Sequence, residues 1–139
     1  MSVEVNWLGV ILAAVAAMVI GFVWYSRGVF GNTWMELAGL NDAKMKKGMA
    51  GPMVATVISV LLTSWTLAML AFMANAFFKH SFMMDSVETA LWVWLGISAT
   101  TLVIHNSFEQ KPWKLTAMNA ANRLVSLLAM GFVIGLFKP

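Results

Sequence analysis

The sequence predicts an all-α protein, an integral membrane four-helix bundle with no second domain. Of its 139 residues, 60% are hydrophobic and only 11% are charged, whereas a soluble domain carries roughly 25% charged residues. The chain also contains four apolar segments, each about 20 residues long, which is the length that crosses a hydrocarbon core of about 30 Å. Because backbone polar groups within lipid have to be paired inside the segment, each segment is predicted to be a helix.

The four predicted spans cover residues 5–25, 53–72, 87–106 and 113–137. The second span follows the Gly- and Pro-containing stretch 48–52, and the fourth follows Pro112, which favours a helix start. The N-terminal segment carries Glu4 where a cleaved signal peptide has positive charges, so the first span is expected to be retained. The chain is therefore predicted to be a single domain over residues 1–139.

Basic residues are distributed unevenly between the predicted loops. One side carries Arg27, Lys44, Lys46 and Lys47 in the first loop and Lys111 and Lys114 in the third, while the other side carries only Lys79 and Lys138. Because positively charged loops stay in the cytoplasm, these two loops are predicted in the cytoplasm and both termini on the outer face of the membrane. The same distribution accounts for the net charge of +3, so the lipid bilayer is the expected partner and nucleic acid is not.

The first loop contains an amphipathic stretch. Its apolar residues Trp34, Met35, Leu37, Ala38 and Leu40 share one face of a helix, and Asn41 is placed to cap a following turn. We expect a short interfacial helix on the cytoplasmic surface that connects the first two spans.

Small residues recur every four positions in the first span, at Gly9, Ala13, Ala17 and Gly21. Such a stripe lets another helix approach closely, and close packing drives helix association in lipid. The partner is either another span of the same chain or a second protomer.

Among the charged residues, Arg123 lies deepest within a predicted span and therefore furthest from water. It lies about ten residues inside the fourth predicted span, near the middle of a bilayer at about 1.5 Å per residue. A charge at that depth costs several kcal/mol unless it is paired or hydrated, which makes it a functional-site candidate. Polar residues spaced for one helix face suggest a polar interior around it: Thr56, Ser59, Thr63 and Thr66; Ser98, Thr101 and His105; and Thr116, Asn119 and Ser126.

Helix geometry predicts a partner for Arg123. Helical side chains lean toward the N-terminus of their own helix, so Glu109 and Arg123, on antiparallel spans, are expected to lean toward each other. We therefore predict an Arg123–Glu109 ion pair with His105 or Asn106 nearby, and a candidate binding set that also includes Asn119 and Asn122. The pair is either part of a binding site or a lock between the third and fourth spans.

No catalytic or metal-binding pattern is apparent. Cysteine is absent, which excludes thiolate nucleophiles and Cys-ligated centres. The chain also lacks the spacing of a zinc motif, a phosphate-binding loop and a nucleophile elbow, and His80 and His105 are predicted on opposite sides of the membrane. We expect neither enzymatic activity, nor a metal, nor a cofactor.

Several segments together resemble a known family. They are Asn6-Trp7-Leu8, Trp24-Tyr25-Ser26, Phe30-Gly31, Trp34, Phe108-Glu109, residues 114–119 and residues 124–131. Nearly the whole chain is thereby similar to the bacterial membrane-protein family called domain of unknown function 1761. The resemblance implies four spans in a bacterial cytoplasmic (inner) membrane and no particular activity. It draws attention to Trp24, Tyr25, Ser26, Phe30, Gly31, Glu109 and Asn119. Family members often have Pro where this chain has Arg27.

Two functions fit these features. In the first, the protein binds or translocates a small polar or anionic solute through the polar interior around Arg123. Four spans enclose little space, so this function implies a homo-oligomer. In the second, it is a non-catalytic structural or accessory subunit of a larger membrane complex, which it contacts through the small-residue stripe.

Overall fold

The computed structural model describes residues 2–139, and every element within that range is a helix. Four helical rods are long and apolar enough to cross a membrane, which confirms the predicted fold class. The third rod consists of two α-helices joined by a π-helical segment. The elements are α1 (Trp7–Trp24), α2 (Gly31–Ala38), α3 (Asp42–Lys47), α4 (Ala50–Phe78), α5 (Phe82–Val93), the π-helical segment (Trp94–Ala99), α6 (Thr100–Phe108) and α7 (Trp113–Leu136).

Polar side chains begin three of these helices. Asn6 accepts hydrogen bonds from the backbone N–H groups of Leu8 and Gly9 at 3.1 and 3.3 Å, and Ser81 accepts one at the start of α5. Asn41 accepts one from Lys44 at 2.8 Å, so the cap predicted there is confirmed. Each cap satisfies a backbone donor that the first helical turn leaves without a partner.

The region between the first two spans forms two short helices, α2 and α3, where one was expected. Gly39 separates them with a φ of 70°, a left-handed conformation that ends a helix and favours glycine. α2 packs against α7, so this region contacts the transmembrane bundle directly.

The second and third rods extend further than predicted at the ends that face each other. α4 continues to Phe78 and α5 begins at Phe82, so only residues 79–81 separate them. The predicted second span ends at Phe72 and the predicted third span begins at Val87, so the polar residues Asn75 and Asp85 lie outside both. These polar residues bond to each other instead, since Asn75 donates to Asp85 at 2.7 Å.

α7 packs against α1 and α5, and α4 packs against the same two helices from the other side of the bundle. α1 and α7 are antiparallel: Gly9 lies against Phe137 near one end, and Tyr25 bonds to Asn119 toward the other. Residues 2–6, residues 137–139 and the 79–81 turn therefore lie at one end of the bundle, called here the terminal end. Residues 25–49 and 109–112 lie at the opposite end, called the loop end. Which membrane face each end meets stays a prediction.

The small-residue stripe of α1 packs within the chain. Gly9, Ala13 and Ala17 are buried, and a Cβ on Gly9 would lie 2.8 Å from the Phe137 Cβ. Only Gly21 has open space beside it. Most of the stripe is thus unavailable to a second chain.

The polar residues of α4 do not face a common interior. Thr56 and Thr63 donate to carbonyl groups one turn earlier in their own helix, each at 2.8 Å, and Thr56, Ser59 and Thr66 are exposed. Hydroxyls bonded to their own helix are already satisfied. The predicted convergence of three polar faces is therefore wrong for α4.

Candidate functional site

Arg123 lines a groove that is bounded by the C-terminal end of α1 and by α2, α6 and α7. The groove has a volume of about 280 Å³ and lies toward the loop end. Its lining residues are Tyr25, Trp34, Leu102, Asn119 and Arg123, and we call it the Arg123 groove.

Two aromatic residues form one wall of the Arg123 groove. The Tyr25 hydroxyl donates to Asn119 Oδ1 at 2.8 Å, which joins the end of α1 to α7. The Tyr25 ring packs against Trp34 with centroids 5.1 Å apart and planes at 57°. This wall therefore depends on both α1 and α2.

A tight turn after α1 positions Tyr25. The Gly31 N–H donates to the Ser26 carbonyl at 2.8 Å, and the Phe30 N–H donates to the Trp24 carbonyl at 3.1 Å. A Cβ on Gly31 would collide with the Tyr25 and Ser26 carbonyl groups, so glycine is required by the close approach of the backbone.

Arg123 is exposed on the bundle surface and has no ion pair among residues 2–139. The predicted pair with Glu109 is wrong because the two residues lie at different depths. Asn106 opposes Thr116, to which it donates at 2.9 Å. At 1.5 Å per residue, Arg123 lies about 10 Å from Thr116 toward the terminal end. Glu109 lies about 4.5 Å from Asn106 in the opposite direction, toward the loop end.

The remaining predicted site residues are divided between the groove and its surroundings. Asn119 lines the groove, whereas Asn106 is occupied with Thr116. His105 and Glu109 are exposed near the end of α6 and do not line the groove. The structure thus brings Arg123 and Asn119 together and leaves His105, Asn106 and Glu109 outside.

Two buried side-chain N–H groups next to groove residues have no hydrogen-bond acceptor in the described part of the chain. They are Trp24 Nε1 and Asn122 Nδ2. Trp24 precedes Tyr25 at the end of α1, and Asn122 precedes Arg123 on α7. A buried donor without a partner costs about 1–3 kcal/mol. With Arg123, this region is rich in donors and short of acceptors.

Tyr25 and Trp34 are the site residues that composition and periodicity missed. Composition and periodicity give Tyr25 no role in a site and place Trp34 on the apolar face of an interfacial helix. The signal that marks both is the Trp-Tyr-Ser, Phe-Gly and Trp segment on which the family resemblance rests.

A larger hollow of about 740 Å³ lies at the terminal end. Residues 3–7, Trp65, Met69 and Pro139 line it. Its polar side chains are Glu4 and Asn6, and the Asn6 oxygen is already occupied in capping α1.

A polar cluster also lies at the terminal end, where the side chains of His80, Asp85 and Glu88 converge. One ligand atom from each lies within 4.8 Å of the others. Asp85 is almost completely buried, with 1% of its surface exposed. This cluster is remote from the Arg123 groove.

A family model described as protein of unknown function, DUF1761, matches residues 8–135. The match covers nearly the whole chain, including every residue that lines the Arg123 groove. No curated protein and no solved structure matches the chain significantly.

Proposed function

We propose that this chain, which belongs to the DUF1761 family, binds a small anion in the Arg123 groove. The observation that carries the proposal is Arg123, which lines the groove and forms no ion pair among residues 2–139. A carboxylate or phosphate oxygen pair matches the planar donor fork of arginine.

The depth of Arg123 strengthens the case for an anion. Arg123 lies ten residues after Trp113, the first residue of α7, which places it about 15 Å along the helix. An arginine at the centre of a membrane helix costs at least about 2.5 kcal/mol. A bound anion would neutralise this charge and offset part of that cost.

Asn119 supplies a second donor of fixed orientation. Its Oδ1 accepts the Tyr25 hydroxyl proton, so its amide N–H groups remain for a ligand. The Arg123 and Asn119 side chains lie one helical turn apart on α7, since residues four apart share a face.

The size and walls of the groove limit the ligand. A volume of about 280 Å³ is below the usual range of about 300–1,000 Å³ for drug-sized ligands. Tyr25, Trp34 and Leu102 provide apolar surface beside the donors. A phosphate ion or a small carboxylate with a short apolar part fits this combination.

We propose binding from the loop end without passage through the bundle. Beyond Arg123, the α7 residues Leu127, Met130 and Ile134 belong to the buried apolar core. A hydrated path through this part of α7 would have to displace that core.

Isothermal titration of the full chain in mild detergent tests this proposal. Phosphate, acetate and propionate are the probes, with choline as a cationic control. Arg123→Gln is expected to weaken anion binding at least tenfold. Arg27→Gln is the matched control, because it removes the same charge from an exposed pair with Asp42. Absence of binding by every anion, or equal losses in both variants, would refute the proposal.

A further inference from the structure

We propose that His80, Asp85 and Glu88 form a binding site for a divalent transition-metal ion at the terminal end. The three side chains offer one imidazole nitrogen and two carboxylate oxygens, all within 4.8 Å of one another. His80 lies in the turn between α4 and α5, whereas Asp85 and Glu88 lie one turn apart on α5. Residues three apart on a helix project to the same side.

The spacing of the first two ligand atoms suits a metal. His80 Nδ1 and Asp85 Oδ1 are 3.0 Å apart. Two ligands about 2.1 Å from a tetrahedral Zn²⁺ ion are about 3.4 Å apart, so the two atoms would have to separate by only about 0.4 Å to bind one. An ion can therefore replace the shared proton with little movement of either side chain.

The charge of the cluster also favours a cation. Asp85 is 1% exposed, and Glu88 brings a second carboxylate beside it. Neither carboxylate forms an ion pair with a Lys or Arg in residues 2–139, and neighbouring Lys79 forms none at all. Two adjacent carboxylates repel each other, so a divalent ion would stabilise them.

Further contacts hold the ligands in place. Asn75 donates to Asp85 Oδ2 at 2.7 Å and to the His80 carbonyl at 2.9 Å. The His80 ring stacks on Phe78 with centroids 5.9 Å apart and planes at 8°. Outer contacts of this kind orient metal ligands, and their loss commonly weakens binding 10- to 100-fold.

The donor set selects the class of metal. Imidazole favours zinc and the later transition metals, and carboxylates accept these ions as well as manganese. One nitrogen and two oxygens match Zn²⁺ with a remaining position for water. A bound ion would connect the α4–α5 turn to the first turns of α5.

Zinc titration of the chelator-treated full chain, without an affinity tag, tests the site. We expect one Zn²⁺ per chain, and Co²⁺ should substitute and give visible ligand-field absorption. His80→Gln and Glu88→Gln should each weaken Zn²⁺ binding at least tenfold, and Asn75→Ala by a comparable factor. His105→Gln is the matched control, since it removes the other histidine, at the loop end.

Glu88→Gln keeps the test decisive if loss of His80 or Asp85 disturbs the fold, because Glu88 takes part in no hydrogen bond or ion pair that holds the turn. The proposal is overturned if the folded protein binds no stoichiometric zinc. It is equally overturned if zinc binding survives both His80→Gln and Glu88→Gln, or if His105→Gln weakens it as strongly.

Discussion

Replacing Arg123 with leucine separates a binding residue from a structural lock. A lock requires Arg123 to be bonded to another helix, and breaking a buried pair by removing one partner costs about 3–5 kcal/mol. The structure gives Arg123 no ion pair within residues 2–139 and leaves it exposed. We therefore expect Arg123→Leu to change the free energy of unfolding by less than about 0.5 kcal/mol, as for other surface positions.

The same substitution should favour membrane insertion of α7. On the biological insertion scale, arginine at a helix centre costs about 2.5–3.5 kcal/mol, whereas leucine contributes about −0.3 to −0.6. The difference for Arg123→Leu is about 3–4 kcal/mol. Higher insertion efficiency, unchanged stability and lost anion binding together identify a residue retained for its ligand.

The free energy of unfolding is measured by titrating SDS into mixed micelles and monitoring the loss of helix by circular dichroism. Arg27→Leu is the control: its pair with Asp42 is exposed, and such pairs contribute at most about 1 kcal/mol. A loss of about 3 kcal/mol in Arg123→Leu would contradict the reasoning, because it would mean that the guanidinium holds the bundle together.

Three further predictions concern packing around the groove and the bundle core. Tyr25→Phe removes one hydrogen bond worth about 1 kcal/mol and should weaken anion binding about fivefold in the same titration. Gly31→Ala should displace Tyr25 and also weaken anion binding, whereas Gly28→Ala, with open space around it, should leave affinity unchanged. Gly131→Ala places a Cβ 2.8 Å from an α5 carbonyl oxygen and should lower unfolding stability by about 1–3 kcal/mol. Gly21→Ala, which meets no atom within 4 Å, should show no such loss in thermal unfolding in detergent.

Features that depend on the solvent or on neighbouring residues could be predicted from the sequence. The four rods follow from hydropathy, because lipid forces a long apolar segment into a helix. The cap at Asn41 follows from a side chain that reaches backbone N–H groups two or three residues ahead. Neither inference requires knowledge of which helices touch.

Features that depend on register could not be predicted in the same way. The Arg123–Glu109 pair was expected at one depth, but the turn between α6 and α7 sets Asn106 against Thr116, and the depths differ by about 15 Å. The ends of α4 and α5 were missed for a related reason. Asn75 and Asp85 look like loop residues until the hydrogen bond between the two helices is known.

The short helix α2 determines what Arg123 can do. On an isolated α7, a surface arginine at this depth would meet only lipid or water. α2 packs against α7 and brings Trp34 onto Tyr25, which turns that surface into a groove with aromatic walls. The turn that permits this depends on Gly31, where a Cβ would collide with the preceding backbone. The segment between the first two rods is therefore part of the proposed anion site, and a substitution there that spares the rods should impair binding without unfolding the bundle.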